Sequence, residues 1–177
     1  IQTVSALIGL FALAEVISKA VDSVNNVQIE ATKVSCKLVP FSVVVKNLPN
    51  MLRSAIIGTF IGIVPATGGG IAAFLAYNEA RRASKNPEMF GKGAYAGVFA
   101  AETANNGVTG GALVPLLTLG IPGDTITAVL MGALTIQGLP PGPMLFQNNP
   151  DVVTGIYTML LICNVLMIVL GLLGTRV

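Results

Sequence analysis

The amino-acid sequence predicts an all-α integral membrane protein. Its transmembrane helices are broken within the apolar regions, and one stretch folds as a re-entrant hairpin. Three observations lead there. Of 177 residues, 53% are hydrophobic and 10% charged, against about 25% charged in soluble domains, so charge cannot cover a globule of this size. Mean hydropathy is +0.78, which supplies ample apolar surface and excludes disorder. The 20 glycines and 10 prolines are high for a soluble helical protein and ordinary for membrane helices that break or pack closely.

The same composition removes whole classes of chemistry. Histidine is absent, so the chain has neither an imidazole base nor a histidine metal ligand. Cys36 and Cys163 lie far apart without CxxC spacing, which argues against a redox motif or a thiolate metal site. A net charge of +2 and 6% aromatics without Trp do not make a nucleic-acid surface. The chain opens at Ile1 on apolar residues, without a charged n-region or cleavage site, and reads as an internal piece of a longer protein without a signal peptide.

Taken in order, Val4 to Ile17 is apolar apart from Ser5 and Glu15 and reads as the tail of a helix. Lys19 to Arg53 is polar and basic, the mark of the cytoplasmic side. Within it Phe41 to Val45 suits either a short strand or an interfacial helix. Ser54 to Tyr77 is apolar but broken at Pro65-Ala66-Thr67-Gly68-Gly69-Gly70, and a second basic loop follows with Arg81, Arg82, Lys85 and Lys92. Basic flanks on both sides require an even number of crossings, and a full span needs about 20 apolar residues. A re-entrant hairpin satisfies both. Ala94 to Gln137 is expected to be interrupted twice, at Glu102-Thr103-Ala104-Asn105-Asn106-Gly107 and at Leu119-Gly120-Ile121-Pro122-Gly123-Asp124. The topology closes if it crosses an odd number of times. Leu139 to Asp151 is a turn-rich link without Lys or Arg, and Val152 to Gly174 is a clean span before Arg176. Three regions result: residues 1–53, a helix end plus a basic cytoplasmic segment; residues 54–151, a broken-helix core; residues 152–177, a transmembrane helix.

Gly58/Gly62, Gly93/Gly97 and Gly107/Gly111 have the GxxxG spacing that lets helices approach closely in lipid, though a glycine-rich chain also produces it by chance. Gly68 to Ala73 formally matches G-x-G-x-x-A, but no second βα unit follows, so a dinucleotide fold is disfavoured. Asn86 to Gly93 lacks the first Gly and the Ser/Thr of a phosphate loop.

The breaks carry the stronger signal. A helix that restarts inside a membrane exposes unpaired N–H groups at the positive end of its dipole. Glycine there lets a ligand reach the backbone. The expected anion site therefore comprises Thr67, Gly68, Gly69, Gly70, Asn105, Asn106, Gly120, Pro122 and Gly123. Glu102 and Asp124 stand inside apolar territory and are candidates to carry a proton or help hold a coupling cation. Each has a plainer alternative: Glu102 as a helix-end carboxylate at the water interface, Asp124 as an N-cap, and Asn105-Asn106 as a turn.

At these breaks the chain resembles the large membrane subunit of the tripartite tricarboxylate transporter family, the TctA-type permease. The resemblance rests on Gly62 to Tyr77, Phe90-Gly91-Lys92-Gly93, Ala101 to Asn106, Pro115 to Gly123 and Gly138 to Pro143, in that order and spacing. It departs at Pro65-Ala66-Thr67-Gly68, where the family often has Pro-Gly-x-Gly, and at Asp124, where Ser is common. The resemblance implies a multi-pass secondary transporter of the bacterial inner membrane, with no enzymatic activity. It would take up citrate and similar carboxylates on an ion gradient, with no cofactor beyond a coupling Na+ or H+. A periplasmic solute-binding protein would deliver substrate, and a small membrane subunit would accompany it. This chain would be the second half of a larger inverted-repeat transporter. The alternative is a channel or a permease for a non-carboxylate solute on the same scaffold.

Overall fold

The computed structural model describes residues 39–65 and 67–174, with scattered positions between Ala6 and Val21 that are all helical. The continuous part comprises α1 (Phe41–Ile63), α2 (Gly68–Ala83), a single 3-10 turn (Pro87–Met89), α3 (Tyr95–Leu119), α4 (Thr125–Ile136), α5 (Pro143–Asn148) and α6 (Pro150–Gly174). No strand occurs among the described residues, so Phe41 to Val45 is the first turns of a helix. Glu15, Cys36, Ala66, Arg176 and the charges between Lys19 and Lys37 lie outside the described residues.

The core begins with glycine spacing. Ser54, Gly58 and Gly62 are the buried residues of α1, one per turn on one face. They meet a matching row on α3. A Cβ on Gly58 would coincide with the Ala104 carbonyl, and one on Gly62 would lie 2.5 Å from the Val108 oxygen. In return, a Cβ on Gly107 would lie 2.8 Å from the Ala55 oxygen, and one on Gly111 would strike the Thr59 carbonyl. Thus Gly58/Gly62 and Gly107/Gly111 pack against each other, backbone on backbone, as small-residue helix pairs do. The order of the contacts makes α1 and α3 parallel, and Asn50 Nδ2 donates to the Ala96 carbonyl at 2.9 Å near their feet. Gly93/Gly97 is not such a pair. Gly93 lies in the left-handed region at φ +94° before α3 begins, while Gly97 sits under Tyr77 and Phe90.

α2 runs the other way and packs along both. Ala72, Ala76 and Ala80 are buried with Ala100, Ala104 and Val108. Gly69 faces Asn105, whereas Tyr77 faces Gly97, so α2 is antiparallel to α3. The Tyr77 and Phe90 rings close this end, edge to face with centroids 5.4 Å apart. Glu79 links the two hairpin arms there, 3.8 Å from Arg53 of α1 and 3.0 Å from Arg82 of its own helix. The tip of the α1–α2 hairpin therefore lies level with Val108 to Ala112, just past the midpoint of α3.

The second layer is α4, α5 and the start of α6. Leu113, Leu116 and Leu117 of α3 are buried with Met131, Leu134, Leu145 and Val153. Among the described residues only α6 is long and apolar enough to cross a membrane by length and composition. It begins two residues before the expected span.

Three expectations are corrected. The interruption at Glu102 to Gly107 is absent, since α3 runs unbroken through it. Asn106 bonds back to the Glu102 carbonyl at 2.9 Å, and Ala104, Gly107, Val108 and Gly111 must share one continuous helix to meet α1 and α2. The basic segment is not a loop up to Arg53, because α1 already carries Lys46 and Arg53. The turn-rich link contains the short helix α5, with Pro143 at its first turn, where a missing N–H costs nothing.

Ser54 is 1% exposed, and its hydroxyl has no hydrogen-bond partner among the described residues. An unsatisfied buried hydroxyl costs about 1–3 kcal/mol. Ser54→Ala is therefore expected to raise the thermal midpoint of the purified protein. A lower midpoint would mean that the hydroxyl holds a partner.

Candidate functional site

The first break is built around Thr67 and Gly68. α1 ends at Ile63 with orphan carbonyls, and the Thr67 hydroxyl lies 2.7 Å from both the Ile61 and Val64 oxygens. Thr67 thus serves the end of α1, although it stands at the N-cap position of α2. Gly68 turns the chain at φ +68°, a conformation open mainly to glycine. In consequence α2 starts with no side-chain cap and no acidic residue in its first turn. Gly68 and Gly70 face open space, and Gly69 faces the Asn105 amide so closely that a Cβ there would coincide with Oδ1.

The second break is built differently. Gly120 closes α3 in the left-handed region at φ +69°, its N–H donating to the Leu116 carbonyl at 2.9 Å. The chain then folds back along α3 until Gly123 is buried against Gly62 and Ala112. A Cβ at Gly123 would lie 2.9 Å from the Gly62 oxygen and from Ala112 Cβ. Asp124 caps α4: its Oδ1 accepts from Thr127 N–H at 2.8 Å and the Thr127 hydroxyl at 2.7 Å, and Asp124 N–H donates to Thr127 Oγ1 at 2.9 Å. This reciprocal box places a carboxylate on the positive end of the helix.

The two breaks meet on one wall. Gly123 contacts Gly62, just before the first break, and the two restarts sit on α3 at Ala112 and Asn105, seven positions or about 10 Å apart. After α4 the chain returns to α3, where Gly142 N–H donates to the Leu117 carbonyl at 3.1 Å, while α2 descends along α3. Both N-termini thus lie against the middle of α3, but they are not equivalent. That of α4 is already occupied by its own carboxylate, and that of α2 is bare.

Of the expected site residues, Gly68, Gly69, Gly70 and Asn105 come together. Thr67 adjoins them through its hydroxyl, Gly123 and buried Pro122 lie at the level of Ala112, and Gly120 stands apart at the end of α3 against Pro141. Asn106 points elsewhere, into a groove shared with α1 and α6. Glu102 is exposed one turn below it. The dinucleotide reading has no strand to stand on, since a helix precedes Gly68. Sequence reasoning missed Thr59 and Asn164, which line that groove. An Asn within the apolar run from Met159 to Gly174 of α6 was the available signal.

Asp124→Asn, which can still accept at the cap, is expected to keep the fold, whereas Asp124→Ala should lose about 1 kcal/mol. Thermal midpoints of the two variants check this, and equal midpoints would remove the capping role.

A family model described as the Tripartite tricarboxylate transporter TctA family matches residues 1–177. The chain belongs to this family. Two relatives of the TctA-family chain come from Agrobacterium vitis. A 52.8 kDa protein of the TAR-I ttuC' 3' region is 33% identical over 186 residues, covering 97% of this chain and 34% of the relative. A protein of the TAR-II ttuC' 3' region is 39% identical over 115 residues, covering 65% of this chain and 48% of the relative. The chain thus spans about a third of the first relative's length, and its match covers about half of the second. No solved structure matches it. Membership makes this a chain of a membrane transporter family.

Proposed function

We propose that this chain is part of the membrane permease subunit of a tripartite secondary transporter that takes up organic di- and tricarboxylates. It would work in the bacterial inner membrane on an Na+ or H+ gradient. A periplasmic binding protein would deliver substrate, and a small membrane subunit would accompany it. The observation that carries the reading is the bare N-terminus of α2 beside Asn105. It offers unpaired amide hydrogens where the neighbouring helix end is already neutralised, so it favours an anion.

The hairpin geometry supports a site at membrane depth. Lys46, Arg53, Arg81, Arg82 and Lys85 gather at its foot. Gly68 stands eleven positions from Glu79 of that foot, about 17 Å along α2 and about half of a hydrocarbon core of about 30 Å. Entering and leaving on one side leaves its tip near mid-depth, where broken helices of transporters hold substrate. Magnitudes argue that the site is shared. A helix N-terminus contributes up to about 2 kcal/mol toward an anion, while micromolar affinity needs about 8 kcal/mol. The remainder would come from Asn105 and from a second, related half, this chain being the second of two. Glu102, in no ion pair among the described residues and one turn from Asn106, is the acid that would take part in ion coupling.

Uptake of labelled citrate into proteoliposomes holding the complete complex, with and without binding protein and with Na+ and pH varied, tests the reading. Gradient-driven citrate accumulation supports it. Equal, gradient-independent permeation of unrelated solutes would replace it with a channel.

A further inference from the structure

We infer that the groove between α3 and α6 holds a hydrated Na+ ion, and that this is where the coupling cation binds. The inference rests on the transporter reading above. The groove has a volume of about 440 Å³ and is lined by Thr59 of α1, Asn106 and Thr109 of α3, and Leu160, Cys163 and Asn164 of α6. It is separate from the α2 N-terminus, because neighbouring Asn105 and Asn106 project from α3 in different directions.

Hydrogen bonding decides what the groove can take. Asn106 Nδ2 donates to the Glu102 carbonyl at 2.9 Å, and Asn164 Nδ2 donates to the Leu160 carbonyl at 2.8 Å. Each amide nitrogen is thus tied back to its own helix, and the amide oxygen is the end turned away from it. The Thr59 hydroxyl spends its hydrogen on the Ala55 carbonyl at 2.9 Å, leaving lone pairs. Beside the Thr109 hydroxyl and the Cys163 thiol, which keep a hydrogen to give, the groove therefore presents three side-chain oxygens as acceptors, which suit a cation or the water around it. Asn106, expected at the anion site, belongs to this second site.

The choice of cation follows from the rest of the lining. It contains no carboxylate and no imidazole, so a proton has no relay there. A divalent ion asks for carboxylates, and no cluster of three or more acidic, Cys or His residues occurs among the described residues. Neutral oxygens at the scale of a water-filled groove fit a monovalent ion that keeps part of its shell. Glu102, one turn below Asn106 on the same face of α3, adds negative potential nearby. An amide within an apolar helix is costly unless it serves packing or a ligand, and Asn164 faces the groove.

The test uses the complete complex in proteoliposomes with citrate as substrate. Asn164→Leu and Asn106→Leu should each raise the Na+ concentration for half-maximal uptake by about tenfold, the equivalent of one lost contact of about 1.4 kcal/mol. The citrate KM at saturating Na+ should stay near that of the unaltered complex. Citrate uptake that persists with unaltered Na+ dependence in both variants, a citrate KM that moves instead, or wild-type uptake indifferent to Na+ would each overturn the inference. Where a Leu variant fails to assemble, the wild-type complex gives a second reading. Labelling of Cys163 by a membrane-impermeant maleimide, read at its peptide by mass spectrometry, should slow in Na+ relative to choline. An unchanged rate overturns the site. Absence of carboxylate uptake under every gradient would instead defeat the transporter reading, and the labelling assay would still decide the groove.

Discussion

Gly58→Val should leave little folded protein. The new Cβ would fall on the Ala104 carbonyl, a backbone atom that cannot rotate aside, so α1 and α3 would have to separate along their whole contact. Overpacking a tight core typically costs about 1–3 kcal/mol. Here the obstacle is rigid on both sides, and a stability of about 5–15 kcal/mol leaves little margin. Gly111→Val should behave alike, because its Cβ would strike the Thr59 carbonyl. Gly110→Val is the control: it sits one residue away on the same helix, with nothing near its Cβ. Monodisperse yield and thermal midpoint of the three variants report the effect. Equal yields for Gly58→Val and Gly110→Val would mean that the parallel α1–α3 contact does not hold the protein together.

Gly69→Val should fold and lose carboxylate uptake. Its Cβ would displace the Asn105 amide, a side-chain end that can move, so the cost falls on the site rather than on the core. Losing one hydrogen bond to a charged ligand costs about 1.5–3 kcal/mol, or roughly tenfold to a hundredfold in affinity. Asn105→Ala should raise the citrate KM in the same range. Because both changes act through one contact, the double variant should be little worse than either single one, the mark of coupled sites. Additive losses would separate Gly69 from Asn105, and normal uptake in Gly69→Val would remove the α2 N-terminus from the anion site. Gly123→Val should also abolish uptake, but through its clash with Gly62 and Ala112, so its midpoint should fall as well.

Much of this architecture is written along the chain. The proline–glycine runs at Pro65 to Gly70 and at Leu119 to Gly123 end helices wherever they stand, because proline removes a donor and glycine turns the backbone. The four-residue spacing of Gly58, Gly62, Gly107 and Gly111 puts bare backbone on one face of a helix. Low charge with high mean hydropathy marks the chain as one suited to a membrane. These are local properties, set by residue type and by the period of 3.6, and the amino-acid sequence alone determined them.

Partners are not local, and only the tertiary structure decided what depends on them. Glu102 to Gly107 reads as a break when its Asn, Thr and Gly are weighed singly, yet it is helical because α1 and α2 both pack against one continuous α3. Asn105 and Asn106 look like a pair and serve opposite sides, since neighbours on a helix diverge by about 100°. Two helix restarts look equivalent in the chain, but Thr67 turns its hydroxyl to the orphan carbonyls of α1 while Asp124 turns its carboxylate to its own helix. Which N-terminus remained without a side-chain cap was thus settled by where a neighbouring helix happened to end.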